Sequence, residues 1–319
     1  MLKFTVRALW RKLVTLVVIS VVSFAVIHLA PGQPSQIDPL NPRFTREQLV
    51  RYRAAFELDK PLYVQYGLFY QRLFTGQLRS FKDNQPVLGK IVERAWNSFP
   101  LFVVETILMW FYAFPLGIAS AIRRNSTFDR MTTVVVFALI SIPGFYLSYL
   151  AILFVVQNFH VDVIGLRTFG HEPAGWLPGA MDRVWHLVLP AALGVTGGVA
   201  VLSRYVRSQM LEVLGSDYVR TARAKGLPED TVLYQHALRN GLLPFVTMLG
   251  LLLPALIGGS VIFETIFAWP GIGRLGYEAI LGRDYPVVIA LNFIAAALTV
   301  IGTLLSDILY MVVDPRIRL

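Results

Sequence analysis

Long apolar runs alternate with polar, basic connections along the whole chain. Six runs, at about 10–30, 99–122, 132–157, 186–208, 242–267 and 287–312, reach the roughly 20 residues that carry a helix across a bilayer. They are continuous rather than alternating with period two, which predicts helical spans and not barrel strands. Between the first two runs lies a long polar segment, 31–98. Thr45-Arg46-Glu47-Gln48 predicts a helix start there, with Thr45 as cap and Gln48 closing the box. Leu62, Tyr63, Tyr66, Leu68, Phe69, Leu73 and Phe74 supply apolar faces, so the segment reads as a small helical subdomain. The expected organisation is a first span (1–30), an extracytoplasmic helical segment (31–98) and a core of five further spans (99–319) that holds a polar loop at 215–241. The predicted class is an all-α membrane protein with six transmembrane helices.

Composition agrees. Of 319 residues, 55% are hydrophobic and 15% charged, against about 25% charged in soluble domains. The run that follows Lys3, Arg7, Arg11 and Lys12 is too long for a signal-peptide core and lacks a small-x-small cleavage site. It is read as a retained first helix. The net charge of +9 has its explanation in topology rather than nucleic acid. Arg123, Arg124 and Arg130, then Arg220, Arg223, Lys225 and Arg239, then Arg316 and Arg318 all fall on one side if there are six spans. That places both termini in the cytoplasm. The 31–98 segment is also rich in Lys and Arg, but loops above about 60 residues translocate largely regardless of charge.

Helix breakers concentrate in the middle spans: Pro115 and Gly117; Pro143 and Gly144; Pro190, Gly194, Gly197 and Gly198; Pro254, Gly258 and Gly259. Small residues permit close helix packing and proline permits kinks. Ordinary packing explains the pattern, and so does bending of spans three to five around a pathway. Three carboxylates fall in the runs, where such groups usually face a cavity or a partner. Glu105 is a candidate for pairing or pathway lining, Glu264 is expected at the outer interface, and Asp307 is expected to make a hydrogen-bonded helix contact. Glu105, Pro143, Gly258 and Glu264 are the candidate pathway residues. Five scattered histidines and no cysteines offer no metal site. No phosphate-binding G-x-x-x-x-G-K-[ST], H-E-x-x-H or G-x-S-x-G pattern occurs, so no bond-making chemistry is expected. Work against a gradient then requires ion coupling or a separate energy-supplying subunit.

The polar loop is distinctive. Arg220 to Lys225 are helix formers, Gly226 is placed to end that helix, and a second helical stretch from about Glu229 to Asn240 leads back to the membrane. A basic surface helix of this kind docks a partner or lies on anionic headgroups. The run Arg220-Thr221-Ala222-Arg223-Ala224-Lys225-Gly226-Leu227, with His236-Ala237-Leu238-Arg239-Asn240 and Leu243-Pro244, resembles the coupling-loop signature of ABC importer permeases. More narrowly, it is similar to the dipeptide/oligopeptide branch. The resemblance extends through Leu29-Ala30-Pro31-Gly32, Leu58 to Tyr66, Phe263 to Gly273, Asp284-Tyr285-Pro286 and Asp314-Pro315-Arg316. Arg220, Thr221 and Ala222 stand where the broad signature begins Glu-Ala-Ala, and Leu243-Pro244 comes later than its closing Leu-Pro. Both departures are usual for the peptide branch.

The resemblance implies a type I ABC importer permease fold and a non-catalytic role in the cytoplasmic (inner) membrane of a bacterium or archaeon. It implies a second homologous permease, two ATP-binding subunits that carry the ATP and Mg, and an extracytoplasmic substrate-binding protein that delivers a di- or oligopeptide. Asp217, Tyr218, Arg220, Thr221, Ala222, Arg223, Ala224, Lys225 and Gly226 are then the ATPase-coupling residues of the region 217–244, with Ala222 and Ala224 assigned to close contact. The family also includes importers of nickel, oligosaccharide and glutathione. An ion-coupled secondary transporter acting alone is the alternative from another class, and a membrane scaffold or receptor a third.

Overall fold

The computed structural model describes residues 2–29, 45–55, 57–170, 175–250 and 252–313, and these are almost wholly helical. The expectations resting on Pro31-Gly32, His171 and the Asp314–Leu319 terminus lie outside the described residues. Helix α1 (Leu2–Leu29) carries the first span. The helix announced by Thr45 is α2 (Arg46–Ala55), and α3 (Leu62–Phe74) follows Pro61, which sits at its N-cap. A proline there costs nothing, because its missing N–H would lack an intrahelical partner anyway.

Packing of α3 refines the picture of segment 31–98. Tyr66 shares a 2.7 Å hydrogen bond with Ser20, halfway along the first span. Phe24, Tyr66, Phe69 and Tyr70 form a chain of edge and tilted ring contacts that continues to Phe293. The segment therefore lies partly alongside the spans instead of only above them. The turn after α3 is pinned by Asp284, which accepts hydrogen bonds from the Ser80 hydroxyl and the Phe81 N–H.

Helix α4 (Val87–Ile122) is 36 residues long and begins well before the expected boundary. The third apolar run is not one straight span. It forms α5 (Thr127–Ser141) and α6 (Gly144–Phe159), bent by 87°. Pro143 is the cause: it drives Ile142 to an extended conformation (φ −91°, ψ 119°) and stops α5 there. The fourth run does the opposite. Helix α7 (Trp176–Leu214) continues through Pro190 and starts inside the stretch expected to be a loop.

Two helices pack closely because their facing stripes interlock. On α4 the stripe is Ser98, Leu101, Glu105, Met109, Ala113 and Gly117, spaced by three or four residues so that it stays on one face. Gly117 lies against the backbone of Ser203 and the side chain of Val206, while Gly194 and Gly198 of α7 receive Glu105 and Met109. A Cβ at any of these three glycines would overlap its neighbour. Gly194 and Gly198 of the fourth run thus serve close packing, whereas Gly197 faces open space.

The polar loop forms α8 (Asp217–Ala224), then one continuous helical stretch: α9 (Glu229–Thr231), a π-helical segment (Val232–Leu238) and α10 (Arg239–Gly241). The fifth run breaks into α11 (Leu243–Gly250), α12 (Leu252–Gly258) and α13 (Val261–Ile266), with a 43° bend. An unexpected helix, α14 (Ile272–Leu281), precedes α15 (Tyr285–Val313), the last span. Asp307 of α15 accepts a 2.6 Å hydrogen bond from Lys12 of α1, the helix contact expected of it.

Candidate functional site

Helix α8 is anchored from beneath. Val219 and Ala222 are buried in one cluster with Val206 and Met210 of α7, Val232 and Ala237 of the π segment and Phe245 of α11. The i, i+3 spacing of Val219 and Ala222 gives the short helix its single apolar face. Asp217, Tyr218, Arg220, Thr221, Arg223, Ala224, Lys225 and Gly226 are exposed. Of the nine residues expected to couple to an ATPase, eight thus lie on the outer surface. Ala222 does not: its small side chain fits this chain's own core, so it holds the helix down and presents nothing to a partner.

The end of α8 is a complete Schellman motif. The Gly226 N–H donates to the Arg223 carbonyl (2.9 Å), and the Leu227 N–H donates to the Ala222 carbonyl (3.4 Å). Gly226 has φ +73°, the left-handed conformation that this cap requires and glycine adopts freely. Arg223 then reaches across the turn to Glu229 at 2.7 Å. Hydrogen bonding to Glu229 raises the Arg223 pKa, and the same contact with Arg223 lowers that of Glu229. The turn is therefore closed by both backbone and side chains.

The candidate pathway residues fall into a second region. Pro143 sets the α5–α6 bend, and Gly144 beside it packs on the Phe263 ring of α13. Gly258 ends α12 at the break before α13, where Gly259 takes φ +53°. Glu264, the next residue after Phe263, is enclosed by the protein. It is 1% exposed and organises the chain beyond the break. Its carboxyl accepts from the Ser98 hydroxyl at 2.7 Å and from the Arg274 N–H at 2.8 Å, while Ser98 accepts from the Ile272 N–H at 2.8 Å. Trp269 donates its indole N–H to the Asn97 carbonyl (2.9 Å), and Asn97 donates back to the Pro270 carbonyl (3.1 Å). A Cβ at Gly271 would overlap the Glu264 carboxyl, and one at Gly273 would crowd it. This accounts for the Trp-Pro-Gly-Ile-Gly run: the chain must wrap a buried carboxyl at backbone distance. Sequence reasoning marked Glu264 but missed Ser98 and Asn97. Their spacing from Leu101 and Glu105 on one α4 face is the signal that points to them.

Glu105 lies two turns from Ser98 on the same α4 face and within electrostatic reach of Glu264. Its Oε1 is shielded from solvent without a hydrogen-bond partner among the described residues. The two carboxyls and the broken span thus meet along one side of α4, with the α5–α6 bend against α13. No group of three or more potential metal ligands occurs among the described residues.

The chain is a bundle of long helices with two broken spans and a surface helix anchored to it. Residues 113–319 match the family described as binding-protein-dependent transport system inner membrane component, and residues 1–104 match its N-terminal family. The chain belongs to this family of binding-protein-dependent transport permeases. Among its relatives is the oligopeptide transport system permease protein AppB of Bacillus subtilis, 39% identical over the full length of both chains. The dipeptide transport system permease protein DppB of Escherichia coli K12 is 35% identical, with 100% of this chain and 99% of that protein covered. The glutathione transport system permease protein GsiC of Salmonella typhimurium is 33% identical with the same coverage, 100% and 99%. A chain of the MetNI methionine ABC transporter, solved inward-facing, superposes with a TM-score of 0.51 at 19% identity, covering 73% of this chain and 99% of that one. The fold is that of an ABC importer permease.

Proposed function

We infer that this chain is one permease subunit of an ATP-driven importer of di- or oligopeptides. It supplies half of the translocation pathway beside a second, homologous permease, and receives its cargo from an extracytoplasmic binding protein. Two ATP-binding subunits carry the nucleotide and Mg, and act on the permease through α8. The chain lies in the cytoplasmic membrane with both termini and α8 on the cytoplasmic side. The observation that carries this reading is the mounting of α8. Its outer face is free and polar, while Val219 and Ala222 tie it to α7 and α11. A push on Tyr218, Thr221 or Lys225 therefore moves spans rather than a loose loop. The broken α11–α13 span and the α5–α6 bend, with Glu105, Pro143, Gly258 and Glu264, form the part of the bundle that rearranges as access alternates.

The peptide assignment rests on the oligopeptide and dipeptide relatives. The glutathione relative keeps a second cargo of the same architecture in view, and that cargo is itself a small peptide. Reconstitution with the cognate ATP-binding subunits, second permease and binding protein tests the whole reading. Peptide uptake is expected only when all components and ATP are present. Thr221→Trp, on the exposed face of α8, is expected to abolish uptake and release the ATP-binding subunits without unfolding the chain. Uptake by vesicles lacking the ATP-binding subunits, or normal uptake by Thr221→Trp, would overturn it.

A further inference from the structure

Five arginines gather where the α4–α5 turn meets α7: Arg123, Arg124, Arg130, Arg204 and Arg207. Asp129 is the one acidic residue between Arg123 and Ser141. It is fully engaged: Arg207 grips it through Nε at 2.7 Å and Nη2 at 2.9 Å, a bidentate pair. This pair fixes the first turn of α5 against α7. It also leaves the other four arginines without an ion-pair partner among the described residues.

Arg204 is the most informative. It lies one turn from Arg207 toward the membrane interior, is exposed, and rests its guanidinium 4.4 Å from the centre of the Phe137 ring. An arginine at the edge of the hydrocarbon needs a counter-ion, and a ring face supplies only part of that. The nearest acid farther along α7 is Glu212, eight residues on, or about 12 Å along the helix. On α5, Arg130, Val134 and Phe137 recur at i, i+4 and i+7 and so share one face. Val134 is 62% and Phe137 47% exposed. The seam thus carries Arg204 over Phe137 at one end of an exposed apolar strip and Arg130, about 10 Å along α5, at the other, with Arg123 and Arg124 adding positive field from the turn.

We propose that this α5–α7 seam binds one anionic phospholipid. Its phosphodiester sits between Arg204 and Arg130, and an acyl chain runs over Val134 and Phe137. The guanidinium fork matches phosphate oxygens, and the ligand's two chemical halves match the two halves of the seam. A soluble anion would leave the apolar strip uncovered. A zwitterionic lipid would set its own cation against the arginines. The lipid acts as a wedge at the α5–α7 junction, supporting the helix pair that carries the α5–α6 bend.

The test uses the purified permease complex in detergent, stripped of lipid, with equal amounts of phosphatidylglycerol and phosphatidylcholine added. Native mass spectrometry reads the lipid retained. The wild type is expected to retain phosphatidylglycerol in excess. In Arg130→Gln/Arg204→Gln that excess should fall roughly tenfold or more, as expected for loss of two interfacial cations. Arg130→Gln alone, at an exposed position, should give an intermediate loss and guards against misfolding of the double variant. Arg183→Gln, at the opposite end of α7, should retain lipid as the wild type does. Undiminished phosphatidylglycerol in the double variant would overturn the proposal, as would an equal loss in Arg183→Gln. Loss of the ATP-binding subunits from the lipid-free double variant would overturn it too, since the arginines would then be holding a protein. Failure of uptake in the reconstituted importer refutes the transport reading instead, and leaves lipid retention unaffected.

Discussion

The turn that closes α8 sets up a prediction in which sterics and backbone strain separate cleanly. Gly226 has φ +73°, and a Cβ built on it would meet no heavy atom within 4 Å. Any cost of substitution there is therefore conformational. The left-handed conformation costs a residue with a Cβ about 1–2 kcal/mol. For alanine, part is offset because alanine also restricts the opened chain, by about 0.4–1 kcal/mol. Gly226→Ala should thus raise local opening of the α8 end by about 1 kcal/mol, or roughly fivefold. Gly226→Val should do worse, since β-branched residues are rarest at positive φ. Gly226→Asn should recover most of the loss, because asparagine tolerates this conformation. Hydrogen exchange reads the effect directly, since the Gly226 and Leu227 amides are the donors of the Schellman bonds. The order expected is glycine, asparagine, alanine, valine, from most to least protected. Equal protection across the four, or asparagine as poor as valine, would refute the strain argument. In the importer, the same order should appear in peptide moved per ATP hydrolysed.

The Arg223–Glu229 contact predicts a pH dependence of the same turn. Arg223 lowers the Glu229 pKa in the folded loop, so the contribution of the pair is present at neutral pH and is lost as pH falls through that lowered value. Protection at the start of α9, measured as exchange relative to the intrinsic rate at each pH, should therefore fall in acid, below the ordinary Glu pKa of about 4.3, and Glu229→Gln should remove the dependence. At the break, Glu264→Ala orphans the Arg274 N–H and empties a packed site, at a cost of about 3–5 kcal/mol. Glu264→Gln can still accept from Arg274 and donate to Ser98, so its thermal unfolding should stay close to wild type. Equal destabilisation by both would mean that charge, rather than hydrogen bonding, holds the loop.

Much of the fold was legible because hydropathy reports what each segment must bury or expose. The six runs, the Thr45 helix start, the Gly226 stop and the Asp307 contact all follow from local chemistry. Glycine and proline were harder, because the same residue permits opposite outcomes. Pro143 breaks its span, whereas Pro190 lies inside an unbroken helix. Gly194 and Gly198 look like weak points in isolation but admit Glu105 and Met109 across the α4–α7 interface. Only the partner helix decides between these outcomes. Ala222 and Glu264 teach the same lesson at the site. Ala222 belongs to a polar, surface-like loop and Glu264 to the end of an apolar run, and each is turned inward by a tertiary neighbour: the α7 cluster for Ala222 and Ser98 for Glu264.

These two inward residues also define how far a displacement of α8 can travel. Ala222 and Val219 join α8 to Met210 and Val206 of α7 and to Phe245 at the start of α11. Val206 in turn lies against Gly117 of α4, and α4 and α7 are locked along their facing stripes. At the far end of α4, Ser98 holds Glu264 and so the chain beyond the α12–α13 break. Thus α8, α7 and α4 form one packed body that touches the broken span at both of its ends. A push that tilts this body must be taken up where the span is already interrupted, at Gly258-Gly259, and at the α5–α6 bend that packs on α13 through Gly144 and Phe263. Packed helices do not stretch, so breaks in the helix ladder are where motion of α8 has to appear.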